Sequence, residues 1–248
     1  MFITNPFKRM THYLLFALTS FTFIPIGFAN NSVSETISVD QRSIYAADNN
    51  READNWLSYG RGYFEQRYSP LKHINQHTVD KLKLAWFFDT GNTQGLQATP
   101  LVINGVMYIT AAWSVLHALD AKTGEELWRF DPEVPREESF RYCCGVVNRG
   151  AAAWQDKLFI GTLDGRLIAV DRHSGQPIWS TQTTPKGEDY SITGAPRVVK
   201  GKVIIGNGGS EYGVRGFVSA YDTNNGEMLW RFYTVPGNPA NGFETVSY

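Results

Sequence analysis

One pattern, Ala-x-Asp-x-x-x-Gly-x-x-x-Trp, occurs three times at a constant interval of 51 residues: Ala118/Asp120/Gly124/Trp128, Ala169/Asp171/Gly175/Trp179 and Ala220/Asp222/Gly226/Trp230. Self-similarity at a fixed period of this size marks a repeat architecture, in which no unit buries its apolar face without a neighbour. The same aromatic at the same place in three copies predicts a common docking position rather than three unrelated strand tryptophans.

Each copy reads as two strands joined by a tight turn. An apolar run leads into Asp120, turn chemistry fills Asp120 to Gly124, and Glu125 to Phe130 resumes a strand carrying Trp128. Upstream lies a second hairpin, Leu101-Val102-Ile103 and Val106 to Ile109 around Asn104-Gly105, the strongest short hairpin signal; Gln155-Asp156 and Lys200-Gly201 hold its place in the next units. Four short antiparallel strands per unit predict an all-β fold, a β-propeller of four-stranded blades. Trp86, closing Lys83-Leu84-Ala85-Trp86, predicts the last strand of an earlier partial unit, so about three and a half blades are legible. Propellers close with roughly four to eight blades. The expectation is therefore the N-terminal part of a longer protein, with the irregular stretch Val235 to Gly242 leading into another blade. A four-bladed ring is the weaker alternative.

A formal net charge of −1, with 14% aromatics and 23 glycines, suits strands and tight turns and gives no reason to expect nucleic acid or an anionic membrane as partner. Lys8 and Arg9, the apolar stretch Tyr13 to Phe28 and the small residues Gly27 and Ala29 predict an export leader over 1–29, shorter and more interrupted than a spanning helix. Cleavage after Ala29 removes two of 23 basic residues and no acids, leaving 21 against 24, or −3. Residues 30–55 are polar and read as a flexible arm, and 56–248 as the partial propeller. One short helix is predicted between Ser69 and Trp86, with Asn75 as N-cap and Val79 and Leu82 on one face.

Chemistry must sit where the repeats differ. The third unit carries six extra residues before Ala220, within Asn207-Gly208-Gly209-Ser210-Glu211-Tyr212-Gly213-Val214-Arg215-Gly216. Glycines let a backbone approach a ligand closely, and a carboxylate on such a loop can reach a hard cation, although for Glu211 alone a solvated loop carboxylate is the better reading. Gly206, Gly208 and Gly209 only partly match a dinucleotide fingerprint, and no helix follows, so a Rossmann reading is rejected. The two cysteines are adjacent, Cys143-Cys144, in the loop from Asp131 to Gly150. In an exported chain they pair with each other, stay free or bridge to another molecule. A ring closed between neighbours would be strained and would remove little unfolded-state entropy, which points to a ligand site rather than a staple. None of His12, His73, His77, His117 and His173 has metal-pair spacing, and no C-x-x-C-H haem motif occurs.

The segments Asn55-Trp56-Leu57-Ser58-Tyr59-Gly60, Arg67-Tyr68-Ser69-Pro70-Leu71, Cys143-Cys144-Gly145-Val146-Val147-Asn148-Arg149-Gly150 and Ile192-Thr193-Gly194-Ala195-Pro196, with the glycine-rich Glu211 loop, resemble the pyrroloquinoline quinone (PQQ)-dependent alcohol dehydrogenases from about Trp56 to Tyr248. The resemblance implies an eight-bladed periplasmic propeller that oxidises primary alcohols to aldehydes. PQQ would lie over a vicinal disulfide beside Ca²⁺ or a lanthanide ion, and electrons would pass to a c-type cytochrome. It further implies that Cys143 and Cys144 form that disulfide, that Arg149 and Thr193 hydrogen-bond PQQ, that Gly209 and Ser210 contact its edge, and that Glu211 is a metal ligand. Gln97 stands where the family commonly has a PQQ-contacting Glu; the amide keeps hydrogen-bonding capacity and loses the charge. The catalytic aspartate, the remaining metal ligands and the tryptophan on the other face of PQQ are expected beyond Tyr248, so no catalytic residue is assigned here and the chain alone is expected to bind PQQ poorly and turn over nothing. A further haem domain and peripheral membrane association stay open. The alternatives are an exported propeller scaffold without cofactor, which needs neither the cysteine pair nor the Gly-Gly-Ser-Glu insertion, and a sugar-oxidising quinoprotein, which the alcohol-type motifs disfavour.

Overall fold

The computed structural model describes residues 36–142, 145–238 and 240. The leader read at 1–29 and the pair Cys143 and Cys144 lie outside the described residues. Three four-stranded antiparallel sheets follow one another. The first holds β1 (Leu101–Ile103), β2 (Val106–Thr110), β3 (Leu116–Asp120) and β4 (Glu126–Phe130). The second holds β5 (Ala152–Trp154), β6 (Lys157–Gly161), β7 (Arg166–Asp171) and β8 (Pro177–Gln182). The third holds β9 (Arg197–Val199), β10 (Lys202–Gly206), β11 (Phe217–Asp222) and β12 (Met228–Tyr233). Each sheet is one blade with its strands in sequential order, the meander predicted from the repeat.

The repeated residues have one job each. Asp120, Asp171 and Asp222 close the β3–β4, β7–β8 and β11–β12 turns. Asp120 Oδ1 accepts the Lys122 and Thr123 amides at 2.8 Å, Asp171 Oδ1 accepts those of His173 and Ser174 at 3.0 and 2.8 Å, and Asp222 Oδ1 accepts that of Asn224 at 2.7 Å. Donation from Thr123 and Lys122 holds the Asp120 carboxyl below the usual carboxylate range; at Asp171 burial pushes the other way and the Ser174 and His173 donors outweigh it. The turn glycines Gly124, Gly175 and Gly226 adopt φ of +76°, +73° and +73°.

Those glycines are required a second time, by the neighbouring blade. A Cβ on Gly124 would lie 2.5 Å from the Trp86 ring, one on Gly175 2.7 Å from Trp128, and one on Gly226 2.6 Å from Trp179. Each indole therefore lies flat against the turn of the next unit, and its N–H donates to the carbonyl one residue after that unit's Asp. The three bonds, Trp86 to Ala121, Trp128 to Arg172 and Trp179 to Thr223, are all 3.2 Å. Within its own blade Trp128 pairs with Ala118, Trp179 with Ala169 and Trp230 with Ala220, and each blade has a β-bulge immediately after that alanine. The three alanines are fully buried. Tyr108 and Phe159 extend the seam, their rings 5.9 Å from Trp128 and 5.7 Å from Trp179.

Three local readings differ from the structure. No strand forms at Lys83 to Trp86, although Trp86 docks as expected for a unit preceding the first blade. The predicted helix near Asn75 shrinks to a three-residue 3₁₀ turn, Val79–Lys81, with Thr78 at its cap and Val79 and Leu82 exposed. Asn75 spends its side-chain oxygen on the His77 amide two residues on, an Asx turn that competes with helix capping. Within the stretch read as a flexible arm, α1 (Gln41–Asp48) forms under a reciprocal cap: Ser43 N donates to Asp40 Oδ1 and Asp40 N to Ser43 Oγ. Ser43, Ile44 and Ala47 are buried, so tertiary packing stabilises a segment whose polar composition hid it.

The docking geometry separates two glycine substitutions. Gly175→Ala meets both the left-handed φ and the Trp128 ring, and is expected to lower unfolding free energy by about 2–4 kcal/mol. Gly105→Ala, at φ +80° with open space around the missing Cβ, should cost only about 1 kcal/mol, as read from urea unfolding of the two variants.

Candidate functional site

The segments that precede the first strand of each blade meet in one belt. Thr99 precedes β1, Arg149 precedes β5 and Thr193 precedes β9. The Thr99 amide donates to the Arg149 carbonyl at 3.2 Å and the Arg149 amide donates to the Thr193 carbonyl at 2.9 Å. The Arg149 guanidinium then donates through Nη1 to Thr193 Oγ1 at 2.5 Å. Gly150, at φ +133°, lets the blades close this tightly, since a Cβ there would lie 3.1 Å from the Thr99 carbonyl oxygen. Arg149 and Thr193 are half-buried, and Gln97, two residues before Thr99, is exposed.

The belt continues into the glycine-rich loop through a bridge between Ser191 and Gly208, with Gly208 N donating to Ser191 O at 2.7 Å. Asn207 Oδ1 accepts the Phe217 amide at 2.8 Å and so closes the six-residue insertion into a compact loop. Gly209 is obligatory: its φ is +107° and a Cβ would stand 2.3 Å from the Asp189 carbonyl oxygen. It starts a 3₁₀ turn over Ser210–Tyr212 that presents Ser210 and Glu211 to solvent, with Ser210 Oγ 3.3 Å from Glu211 Oε2.

The loop carrying the cysteines is pinned at both flanks by one corner of the first blade. Trp113 and Ser114, between β2 and β3, hold φ of +63° and +61°. The Trp113 amide donates to the Val146 carbonyl at 2.8 Å and its ring meets Tyr142 edge-on at 6.5 Å. Tyr142 is buried; burial pushes its hydroxyl up to about 12, with the Asp164 and Glu138 carboxylates acting in the same direction, so it stays neutral through the physiological range.

Sequence reasoning missed two further cations at the belt. Arg67 donates through both Nη atoms to Thr99 Oγ1 at 3.3 Å, and Arg197 donates to the Ala195 carbonyl at 3.0 Å and to Glu65 at 2.7 Å. Both guanidiniums stack on the Tyr59 ring, 4.4 and 4.1 Å from its centroid. Arg67 falls in a segment quoted for its family likeness, but only tertiary contact reveals its neighbours. Three arginines around Thr99, Thr193 and Tyr59 make a donor set suited to a planar, multiply anionic ligand; PQQ, with three carboxyl groups and a quinone, is such a molecule. The metal test gives less. Among the described residues no group of three or more His, Cys, Asp or Glu could hold an ion, and the exposed Glu211 by itself is one carboxylate where Ca²⁺ takes six to eight oxygens.

Residues 56–246 match the family model for the PQQ glucose/ethanol/alcohol dehydrogenase β-propeller domain, and the chain belongs to that family. It is 58% identical over 206 residues to the quinohemoprotein alcohol dehydrogenase ADH IIB of Pseudomonas putida, covering 83% of this chain and 30% of that protein. The crystal structure of quinohemoprotein alcohol dehydrogenase from Comamonas testosteroni superposes with a TM-score of 0.80 at 48% identity, over 84% of this chain and 31% of that one. A europium-containing methanol dehydrogenase gives 0.72 at 39% identity, over 77% and 34%. The chain thus spans about a third of the length of these relatives.

Gly209→Ala should break the loop locally. We expect the Gly208 amide, now bonded to Ser191, to lose hydrogen-exchange protection by at least tenfold while β10 and β11 amides keep theirs; unchanged protection would show that the loop tolerates the Cβ.

Proposed function

We propose that this chain is the cofactor-holding part of an exported PQQ-dependent dehydrogenase that oxidises primary alcohols to aldehydes. The observation that carries the reading is the convergence of Thr99, Arg149 and Thr193, from three blades, beside the Gly209 loop. When bound, PQQ supplies the two-electron acceptor chemistry for alcohol oxidation. Arg149 offers a half-buried guanidinium already restrained by its hydrogen bond to Thr193 Oγ1, so less side-chain entropy is left to lose on engaging a carboxylate or quinone oxygen. Thr193 orients that guanidinium and adds a hydroxyl. Gly209 brings backbone close to the ligand edge, and Gln97 supplies an amide in place of a charged carboxylate. In the same proposal Cys143 and Cys144 form a vicinal disulfide against the ligand, Ser210 contacts its edge, and Glu211 is one ligand of a Ca²⁺ or lanthanide site completed by other residues. The europium in one relative, the haem in the names of others and the cytochrome c in the name of a 1-butanol dehydrogenase of Thauera butanivorans support a metal-assisted site and delivery of electrons to a c-type cytochrome. Export to the periplasm through a cleaved leader at 1–29 belongs to the proposal and rests on sequence pattern.

The test is a dye-linked alcohol oxidation assay on the full-length protein that carries this chain, reconstituted with PQQ and either Ca²⁺ or a lanthanide. Turnover of primary alcohols should require both PQQ and metal, Arg149→Ala should lower PQQ affinity at least tenfold, and the 248-residue chain alone should turn over nothing. Oxidation independent of PQQ, or robust turnover by the chain alone, would contradict the assignment.

A further inference from the structure

Beneath Arg149 lies a side chain that no ligand could touch. Asn148 is 2% exposed, and every hydrogen-bonding atom of its amide group is engaged. Its Nδ2 donates to Ser114 Oγ at 3.1 Å and to the Gly161 carbonyl at 2.8 Å, and its Oδ1 accepts the Gly150 amide at 3.0 Å. The last bond spans from residue 148 to 150 and so encloses Arg149 in an Asx turn, which fixes the backbone dihedrals of the enclosed residue. The other two reach into neighbouring structure. Ser114 belongs to the strained corner of the first blade, at φ +61° and fully buried, while Gly161 ends β6 of the second.

A buried amide is costly unless satisfied, and a polar residue kept here in place of an apolar one must have geometric value. Ser114 shows the same economy. A left-handed conformation is unfavourable for a residue with a Cβ, and it places the hydroxyl where Asn148 needs an acceptor from the first blade. Arg149 itself bridges to Thr99 and Thr193 by its main chain. Its backbone is thus held directly by two bonds, to Thr99 and Thr193, and indirectly by the three bonds of the Asn148 amide, which leaves the guanidinium to meet a ligand.

We infer that Asn148, braced by Ser114, is a positioning residue that aims the Arg149 guanidinium at the cofactor. The inference rests on the proposed role of Arg149 in holding PQQ and adds a residue that acts only through it. Removing Asn148 should widen the range of Arg149 orientations and weaken binding without removing any contact to the ligand.

The experiment is a double-mutant cycle read as PQQ affinity, by quenching of tryptophan fluorescence on titrating PQQ into the apo form of the full-length protein that carries this chain. Wild type, Asn148→Ala, Arg149→Ala and the double variant are compared, with apo melting temperatures recorded for each. Asn148→Ala should weaken PQQ binding about tenfold in the wild-type background and by less than twofold when Arg149 is already alanine. If Asn148→Ala does not fold, Ser114→Ala removes one of the two brace bonds and should weaken binding about threefold, with the same dependence on Arg149. An equal loss in both backgrounds, or none in the wild type, overturns the positioning role while leaving the role of Arg149 intact. Unchanged affinity in Arg149→Ala would overturn that role and this inference together.

Discussion

Everything in this molecule depends on an indole lying against a glycine turn of the following blade. The contact is both apolar and directional, because the ring covers the turn while its N–H donates at 3.2 Å to the carbonyl one residue after the turn Asp, at equivalent positions in the three units. A four-stranded sheet alone leaves two faces and two edges exposed; stacking against a neighbour buries the faces. Glycine is needed at the turn because the left-handed backbone and the indole both exclude a side chain, and aspartate is needed because its carboxylate gathers the turn amides that a tight reversal leaves without partners.

Junctions that repeat this well leave the ends of the blades free to differ. The belt joining Thr99, Arg149 and Thr193 exists because three docked blades bring three pre-strand segments to one place, where main-chain bonds can run between units instead of within them. Position is thereby separated from stability: the turn Asp and Gly that receive the indoles recur every 51 residues, and the belt residues Thr99, Arg149 and Thr193 follow no such interval. The Gly209 loop and the Trp113–Ser114 corner illustrate the cost, since both hold backbone conformations that only a surrounding framework sustains.

Much of the fold was legible because the repeat is written in residues with a single physical use. Asp, Gly, Ala and Trp at fixed offsets gave the blade, its turn and the docking aromatic, and Asn104-Gly105 gave the preceding hairpin. The helix over Gln41–Asp48 was hidden by polar composition, although the Asp40 and Ser43 spacing was a capping signal that could have found it. Lys83 to Trp86 failed as a strand because pattern shows which face a segment presents and not whether a partner strand lies beside it. Of the site, Arg149, Thr193 and Gly209 were accessible through family likeness, and the structure brings Arg149 and Thr193 into contact. Arg67, Arg197 and Asn148 were not, since their significance lies in contacts across 132, 34 and other large sequence separations that no local pattern encodes. Cys143 and Cys144 lie outside the described residues, so their pairing belongs to the proposal.

The central claim is that indole docking holds the belt together, and amide hydrogen exchange in Trp128→Leu tests it most directly. That substitution opens the junction between the first two blades far along the chain from Thr99. The account predicts that the Thr99 amide, bonded to the Arg149 carbonyl across that junction, loses protection at least tenfold while amides internal to β2–β3 and β6–β7 stay protected. Retained protection at Thr99, with the junction demonstrably opened at the Trp128 turn, would contradict it.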